Sequence, residues 1–495
     1  MFKIGFDNDL YIKKQSEQIS ERIKKFGGKL YLEFGGKLFD DYHASRVLPG
    51  FKPDSKLQML RNISSQVELV IVINASDIEN NKVRRDLGIT YDRDVLRLID
   101  NFRSIGLFVG SVVIARYSGQ PAALAFRERL INLGVKVYMH YPIEGYPYNI
   151  PHIVSDEGFG KNEYIETERP LVVITAPGPG SGKMATCLSQ LYHDNLRGIK
   201  AGYAKFETFP IWNLPLKHPV NLAYEAATAD LSDVNVIDPY HLEAYGETTV
   251  NYNRDVEVFP VLNAIFEKIE GKSPYKSPTD MGVNMAGYCI VDNEATKQAS
   301  LNEIIRRYFA ALCDSKKGIK NEAEIAKIES LMNQVGITEE YRKCVTPALD
   351  KAKQTGDPAV AIELCDGRII TGKTSDLLGA SSAALLNAVK TISDEPDEVL
   401  LIDPSVIEPI QALKTGVLGG KNPRLHTDEV LIALSISATQ NSYAKKAVDS
   451  LPLLRGCEAH SSVILSQVDV DIYRKLGINL TCEPNYEVKG LYHKN

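Results

Sequence analysis

Apolar runs of strand length alternate with segments of helical period along the first three hundred residues. The pattern predicts strands at 29–34, 68–74, 111–115, 135–140, 170–175, 202–206 and 234–238. Between them it predicts helices at 9–26, 91–105 and 121–133, the first of which stops at Gly27-Gly28. Alternation of this kind predicts a layered α/β fold built on a sheet.

The later part of the chain repeats the alternation on a smaller scale. A long helix is predicted at 294–312, and the charged stretch "CDSKKGIKNEAEIAKIESLMNQVGITEEYRKC" that follows has the Glu/Lys spacing of a solvated helical connector. Strands at 359–364, 368–371, 399–401 and 463–465 and helices at 379–391 and 427–438 come next. We therefore predict an α/β domain at 1–315, a helical connector at 316–350 and a smaller α/β domain at 351–495.

Composition narrows the class of protein. A chain of 495 residues is longer than one hydrophobic core usually serves, so two or three domains are expected. Its net charge of −6 gives no positive surface that would attract nucleic acid or an anionic membrane. No apolar run reaches the length of a membrane span, and the start of the sequence lacks a secretory signal, so we expect a cytoplasmic protein. Seven scattered cysteines without a Cys-x-x-Cys pair indicate buried thiols and no zinc site.

The stretch "ITAPGPGSGKMATCLSQL" is the main candidate for chemistry. The strand at 170–175 leads into Gly178, Gly180, Ser181 and Gly182, and Lys183 precedes a helix predicted to begin near residue 185. In a phosphate-binding loop, backbone N–H groups converge at a helix N-terminus beside a lysine, and glycines allow the close approach. The pattern therefore predicts a phosphate or nucleotide site, with ATP or GTP as candidate ligands.

The loop departs from the full phosphate-loop pattern at two positions. Pro177 stands where the first glycine belongs, and Met184 stands where a Ser or Thr hydroxyl would bind magnesium. Ser181 or Thr186 could supply that hydroxyl, so a magnesium ion is left open. The alternative is a glycine-rich turn with a solvated lysine.

Polar residues at other predicted strand ends add candidates for ligand contacts. Lys37, after the strand at 29–34, and Arg254, before an apolar helix, could each contact an anion. Asp238 could reach a metal but is better explained as the cap of the next helix. His460, in "RGCEAHSSVILSQVD", is a candidate for acid–base chemistry, and an anion-holding or structural turn is the alternative there.

Four segments together resemble the bacterial domain-of-unknown-function 1846 family: "APGPGSGKMATCLSQLYHD", "HLEAYGETTVNYNRDVEVFPVL", "SPYKSPTDMGVNMAG" and "GCEAHSSVILS". They span most of the chain. The resemblance implies a soluble, multi-domain bacterial protein and brings no substrate with it.

The segment "AVAIELCDGRIITGKTSDLLGASSAALLNAVKTI" resembles the opening of a cytidine-deaminase-like domain. In such a domain a hairpin, here at Asp366-Gly367, precedes a helix that begins with a zinc ligand and a glutamate. This chain has Ala380, Ser381 and Ser382 there, and no later Pro-Cys-x-x-Cys. The resemblance therefore implies a deaminase-like scaffold without zinc and without deamination.

Two functions follow from these features. The first is an enzyme acting on a nucleotide or phosphorylated metabolite, in which Lys183 and the Gly178–Gly182 amides hold phosphate during transfer and His460 assists. The second is a non-catalytic protein that senses a phosphorylated ligand or assembles as a homo-oligomer. Met184 favours the second, because metal-assisted turnover would lack its usual ligand.

Overall fold

A computed structural model describes residues 4–36, 38–39, 41–84, 87–231 and 233–487. The chain divides into two compact units, the larger one comprising Ile4–Glu225 and Asp233–Lys297. The smaller unit contains the described residues 226–231 and 298–487. Lys37 lies outside the described residues, so the structure says nothing about its predicted anion contact.

The larger unit is built on a seven-stranded parallel sheet flanked by helices. Its strands in chain order are β1 Leu30–Phe34, β2 Val67–Asn74, β3 Val83–Arg84, β4 Ile89–Thr90, β5 Phe108–Ala115, β6 Lys136–Met139, β7 Leu171–Thr175, β8 Gly202–Phe206, β9 Asn235–Ile237, β10 Val250–Tyr252 and β11 Gly282–Val283. The sheet order is β11-β8-β1-β7-β2-β5-β6, and β3-β4 and β9-β10 form separate two-stranded ribbons.

Helices cover the sheet of the larger unit. The helices wholly within this unit are α1 Asn8–Lys25, α2 Tyr42–Val47, α3 Ser55–Asn62, α4 Ala75–Glu79, α5 Tyr91–Ser104, α6 Pro121–Asn132, α7 Ile150–Ile153, α8 Lys183–Leu196, α10 Pro239–Tyr245, α11 Asn253–Glu270 and α12 Pro278–Met281. Two helices have residues in both units: α9 Pro219–Ala227 belongs to the larger unit up to Glu225, and α13 Asn293–Lys316 belongs to the smaller unit from residue 298 onward. Strands β1, β2 and β7 are buried along their whole length, because layers cover both faces of a parallel sheet. All seven carboxyl ends therefore meet at one edge.

The smaller unit is a four-stranded mixed sheet with helices. Its order is β13-β12-β14-β15, with strands β12 Ala359–Glu363, β13 Ile369–Lys373, β14 Glu458–Ser461 and β15 Asn479–Cys482. Its helices are α14 Glu322–Val335, α15 Val345–Thr355, α16 Ala380–Ile392, α17 Pro404–Ala412, α18 Thr427–Ser437, α19 Ser442–Ser450 and α20 Gln467–Leu476. The two sheets confirm the predicted mixed α/β class.

Two predicted strands are wrong. Residues 399–401 form a loop in which Leu400 is 62% exposed, and Asp403 then caps α17. Residues 463–465 are also irregular, and the strand there is β14 instead. The sequence of β14, Glu-Ala-His-Ser, is polar but mostly buried, so hydrophobicity alone points to the apolar run after it.

Candidate functional site

The glycine loop connects β7, in the middle of the large sheet, to α8. The helix begins at Lys183, two residues earlier than predicted, and Gly182 is its N-cap in the left-handed conformation. The φ angles of Gly180 and Gly182 are +73° and +99°, values that L side chains rarely adopt. The glycines therefore shape a tight strand-to-helix turn at the carboxyl edge of the sheet.

The backbone amides of this loop have no acceptor. Among the described residues, the N–H groups of Gly178, Gly180, Ser181, Gly182 and Lys183 donate to no carbonyl or side chain. A Cβ placed on Gly180 would meet nothing within 4 Å, so the turn is open to solvent there. Free N–H groups at the start of a 14-residue helix, where the helix dipole is positive, form an environment that suits an anion.

Positive side chains stand at this turn without partners. Lys183 is partly exposed, and its ammonium makes no hydrogen bond or ion pair with any described residue. Arg116 directly follows β5, is exposed, and likewise has no described partner. The end of β5 abuts the loop, since a Cβ on Gly182 would lie 3.1 Å from the Cβ of Ala115. Arg116 has a φ of 58°, a strained value for a non-glycine residue.

The hydroxyl groups near the loop are already engaged. Ser181 is buried, and its Oγ donates to the Gly178 carbonyl at 2.6 Å. Thr186, also buried, donates through Oγ1 to the Gly182 carbonyl at 3.1 Å. Met184 packs against the hydrophobic core. The loop thus presents amides and cations, and the two hydroxyls that could replace the missing magnesium ligand stabilise the turn.

The side chain of Tyr91 packs against the glycine loop at Gly178. Tyr91 begins α5 and is 6% exposed. A Cβ added to Gly178 would lie 2.2 Å from its hydroxyl oxygen, so only glycine allows this approach. Lys82 lies over the Tyr91 ring with its Nζ 5.0 Å from the centroid. The sequence carries no signal for this contact, since 87 positions of chain separate tyrosine and glycine.

A buried ionic cluster lies at the same sheet edge, at β1, which neighbours β7, and β8, which neighbours β1. Lys205 of β8 pairs with Asp255 of α11, and its Nζ lies 2.8 Å from Oε1 of Glu207. On β1, Glu33 is in register with both Lys205 and Ile174 of β7. Tyr203 donates to Oε2 of Glu33 at 2.7 Å. Sequence analysis missed this cluster, although Lys205 inside a predicted buried strand is a signal.

Charged groups of the cluster and of the loop shift the pKa values of buried groups at this edge of the sheet. Burial raises the pKa of Glu207, the Lys205 ammonium opposes this, and Asp255 adds to it. Burial also raises the pKa of Cys187, which lies one helical turn beyond Lys183; Glu33 adds to that rise and Lys183 opposes it. Glu33 of the ionic cluster and Lys183 of the loop therefore shift the pKa of the same thiol, Cys187, in opposite directions. Among the described residues, no group of three His, Cys, Asp or Glu side chains is arranged to hold a metal ion.

Two other predicted site residues have partners of their own. The guanidinium of Arg254 pairs with the buried carboxylate of Asp233, at 2.6 Å from Nε to Oδ1 and 2.8 Å in the second contact. Asp238 caps α10 by accepting the N–H groups of Tyr240 and His241, as the capping interpretation predicted. A role for Arg254 as an anion contact stays a prediction.

His460 belongs to β14 in the smaller unit and is fully buried. Its Nδ1 is 2.8 Å from Oγ1 of Thr481 and its Nε2 is 3.2 Å from Oε1 of Glu483, while the Phe309 ring packs against it. Burial lowers the pKa of His460, against the effect of Glu483. Both ring nitrogens are thus engaged, and its catalytic role stays a prediction.

A histidine cluster in the smaller unit has the composition of a catalytic triad. Nδ1 of His426 lies 3.0 Å from Oδ2 of Asp469 and 3.4 Å from Oγ of Ser466. A triad needs the acid and the nucleophile on opposite ring nitrogens, and here both contact the same one. Burial opposes ionisation of Asp469, but hydrogen bonds from His426, Ser466 and the Thr427 N–H outweigh it and lower its pKa to about 2. The cluster joins the starts of α18 and α20.

Within the described residues, every helix is too short or too polar to cross a bilayer. Family models for the N-terminal and C-terminal parts of DUF1846, a domain of unknown function, match residues 4–336 and 340–492. Proteins named UPF0371 protein from Streptococcus pneumoniae strains JJA and CGSP14 are each 59% identical to this chain over 494 residues. The matches cover 100% of this chain and of each relative.

Proposed function

Because the chain belongs to the DUF1846 family, whose description assigns no activity, we propose its function from the site: the glycine loop binds the phosphate of a nucleotide or phosphorylated metabolite. The observation that carries the proposal is the set of unpaired amides from Gly178 to Lys183 beside two unpaired cations. Phosphate oxygens would accept from the amides, and Lys183 and Arg116 would neutralise their charge. This corresponds to a modified phosphate-loop fold in the larger unit.

A screen of phosphorylated compounds tests the proposal. Thermal unfolding is followed with inorganic phosphate, pyrophosphate, ATP, GTP and sugar phosphates, each with and without Mg²⁺. A ligand at about 100 times its dissociation constant stabilises the folded state by roughly 2.7 kcal/mol. Lys183→Ala should abolish the shift, whereas Lys268→Ala, which removes an exposed lysine of α11, should leave it unchanged. If none of the compounds shifts the transition, the proposal fails.

Turnover separates the two functions that this site allows. An enzyme of the phosphoryl-transfer class would release phosphate from ATP or GTP, using the loop to stabilise charge and a carboxylate such as Glu207 to accept a proton. The loop is poorly equipped to bind magnesium, because Met184 packs against the hydrophobic core and the hydroxyls of Ser181 and Thr186 already donate to backbone carbonyls. That observation favours a non-catalytic sensor. Saturable binding without phosphate release supports the sensor, and magnesium-dependent release supports the enzyme.

In the sensor hypothesis, binding of the phosphorylated ligand changes the assembly of the protein into a homo-oligomer. Ile432 and Ile436, one turn apart on α18, are 60% and 55% exposed, which supports a contact with another copy. Light scattering with and without the phosphorylated ligand tests this change in assembly. A mass that stays that of a monomer under both conditions contradicts it.

We also propose that the smaller unit is a deaminase-like scaffold without deaminase chemistry. The hairpin of β12 and β13 turns at Asp366-Gly367 and is followed by α16, which is the order that the resemblance implies. Helix α16 begins with Ala380, and Ser381 and Ser382 are buried. Incubation with cytidine and zinc should therefore release no ammonia.

A further inference from the structure

Two cysteines lie side by side in the smaller unit. Cys365 comes two residues after the end of β12, and Cys457 directly precedes β14. These strands are antiparallel neighbours, with Glu363 opposite Glu458, so the sheet fixes the two cysteines next to each other. Their Sγ atoms are 3.7 Å apart.

We propose that Cys365 and Cys457 form a site of reversible oxidation, at which a peroxide converts the two thiols into an intramolecular disulfide. A disulfide bond is about 2.05 Å long, so the two Sγ atoms, now 3.7 Å apart, must approach each other by about 1.6 Å. Small rotations of the two side chains suffice for that approach, since the strands already hold the residues adjacent. This site is independent of the glycine loop, which lies in the larger unit.

The difference in burial between the two thiols sets the order of the reaction. Cys365 is partly exposed, whereas Cys457 is fully buried. Burial raises the pKa of Cys457, and Cys365 adds to the rise, so Cys457 is a poor first target for an oxidant. Peroxide therefore meets Cys365 first.

The chemistry balances in two steps. The Cys365 thiol attacks one peroxide oxygen, which gives a sulfenic acid and one water molecule when hydrogen peroxide is the oxidant. The Cys457 sulfur then attacks Sγ of Cys365, the S–O bond breaks, and the hydroxyl leaves with the Cys457 proton as a second water. The pair loses two electrons and two protons, which together are two hydrogen atoms, and the peroxide takes them up as it becomes two water molecules.

Other cysteines in this unit supply an internal control. The Sγ of Cys313 hydrogen-bonds to the main-chain carbonyl of Cys482 at 3.2 Å, so these two are also close, but the contact is between thiol and carbonyl. Cys482 is partly exposed, like Cys365. Burial nevertheless raises the pKa of the Cys482 thiol, as it does that of Cys457, so Cys482 is a poor target for peroxide and should stay reduced while Cys365 reacts.

Peptide mapping of the folded, full-length protein tests the site. The folded protein is treated with hydrogen peroxide, then unfolded and alkylated with N-ethylmaleimide in guanidinium chloride, and digested with trypsin without reduction. Cleavage after lysine and arginine places Cys365 in peptide 354–368 and Cys457 in peptide 456–474, each with no second cysteine. We expect the two peptides to appear joined, lighter by two hydrogen atoms than their sum, and to separate after dithiothreitol.

Variants make the test decisive. Cys365→Ser should remove the crosslink and leave Cys457 unmodified, because the buried thiol lacks its exposed partner. Cys457→Ser should leave a trapped sulfenic acid on Cys365, which dimedone detects; this variant is used only if its circular dichroism matches the parent. Separate peptides 354–368 and 456–474, both alkylated after treatment with excess peroxide, would overturn the proposal. A crosslink of Cys365 to a cysteine other than Cys457 would overturn it as well.

Discussion

The contact between Gly178 and Tyr91 gives a prediction about what shapes the glycine loop. A methyl group at position 178 would lie 2.2 Å from the tyrosine hydroxyl oxygen and 2.6 Å from Cζ, well inside ordinary contact distance. Tyr91 is 6% exposed, so its ring cannot move aside cheaply. Overpacking of this kind costs about 1–3 kcal/mol. We therefore expect Gly178→Ala to lower the free energy of unfolding by that amount.

A double-mutant cycle isolates the contact. Tyr91→Ala alone opens a cavity and costs about 3–5 kcal/mol, but in its background Gly178→Ala should be neutral or slightly stabilising. Gly180→Ala is the matched control: its Cβ meets nothing, so its cost of about 1–2 kcal/mol comes from the positive φ and persists without the tyrosine.

Urea denaturation followed by tryptophan fluorescence measures these differences. Trp212 is the single tryptophan of the chain and belongs to the same unit as the loop, so its emission reports on the unit in question. A steric conflict with Tyr91 is ruled out if Gly178→Ala leaves the free energy of unfolding unchanged in the parent, or lowers it as much after Tyr91→Ala as before it.

Three further predictions concern charge. Arg116→Asn keeps a residue that tolerates positive φ, so it should leave stability unchanged or raise it by up to about 1 kcal/mol. The same change should weaken binding of the phosphorylated ligand about tenfold in calorimetry, and unchanged affinity would remove Arg116 from the site. Arg342 is fully buried and pairs with Glu458, so Arg342→Ala should destabilise the smaller unit by about 3–5 kcal/mol in hydrogen exchange of β14; a loss under 1 kcal/mol would contradict this. The folded pKa of Asp469, about 2, lies below its unfolded value, so its contribution to the free energy of unfolding is present above pH 4 and is lost as the pH falls toward 2. Asp469→Asn should therefore make the free energy of unfolding fall less steeply between pH 4 and pH 2. An unchanged slope in the variant would contradict the lowered pKa of Asp469.

Local pattern was enough to predict six of the seven strands of the large sheet and the long helices α1, α5, α6 and α13, but many of the shorter elements were not predicted. Helix α5 and strand β8 lie within one residue of their predicted bounds, because periodicity, caps and turn residues all act within a few positions of the chain. The strand expected at 399–401 shows the limit of that reasoning. An apolar run becomes a strand only where a partner strand is available, and no local signal reports one.

The candidate site was predictable only in its local part. Gly178, Gly180, Gly182 and Lys183 are contiguous, so the loop could be recognised from sequence. The other parts of the site come together through the sheet order. Arg116 follows β5, two strands from β7, and the end of β5 lies close to Gly182. Lys205 of β8 lies beside Glu33 because β8 neighbours β1. Such contacts depend on topology, which alternation of strands and helices leaves open.

The most direct test observes the loop amides themselves. The protein is labelled with ¹⁵N-glycine, the signals of Gly178, Gly180 and Gly182 are assigned by alanine substitution, and the phosphorylated compound that gives the largest thermal shift is titrated in. We expect the amide protons of Gly180 and Gly182 to move downfield in a saturable way, and Lys183→Ala to abolish that movement at the same ligand concentration. Saturable binding that leaves both signals in place, while glycines elsewhere shift, would contradict this expectation.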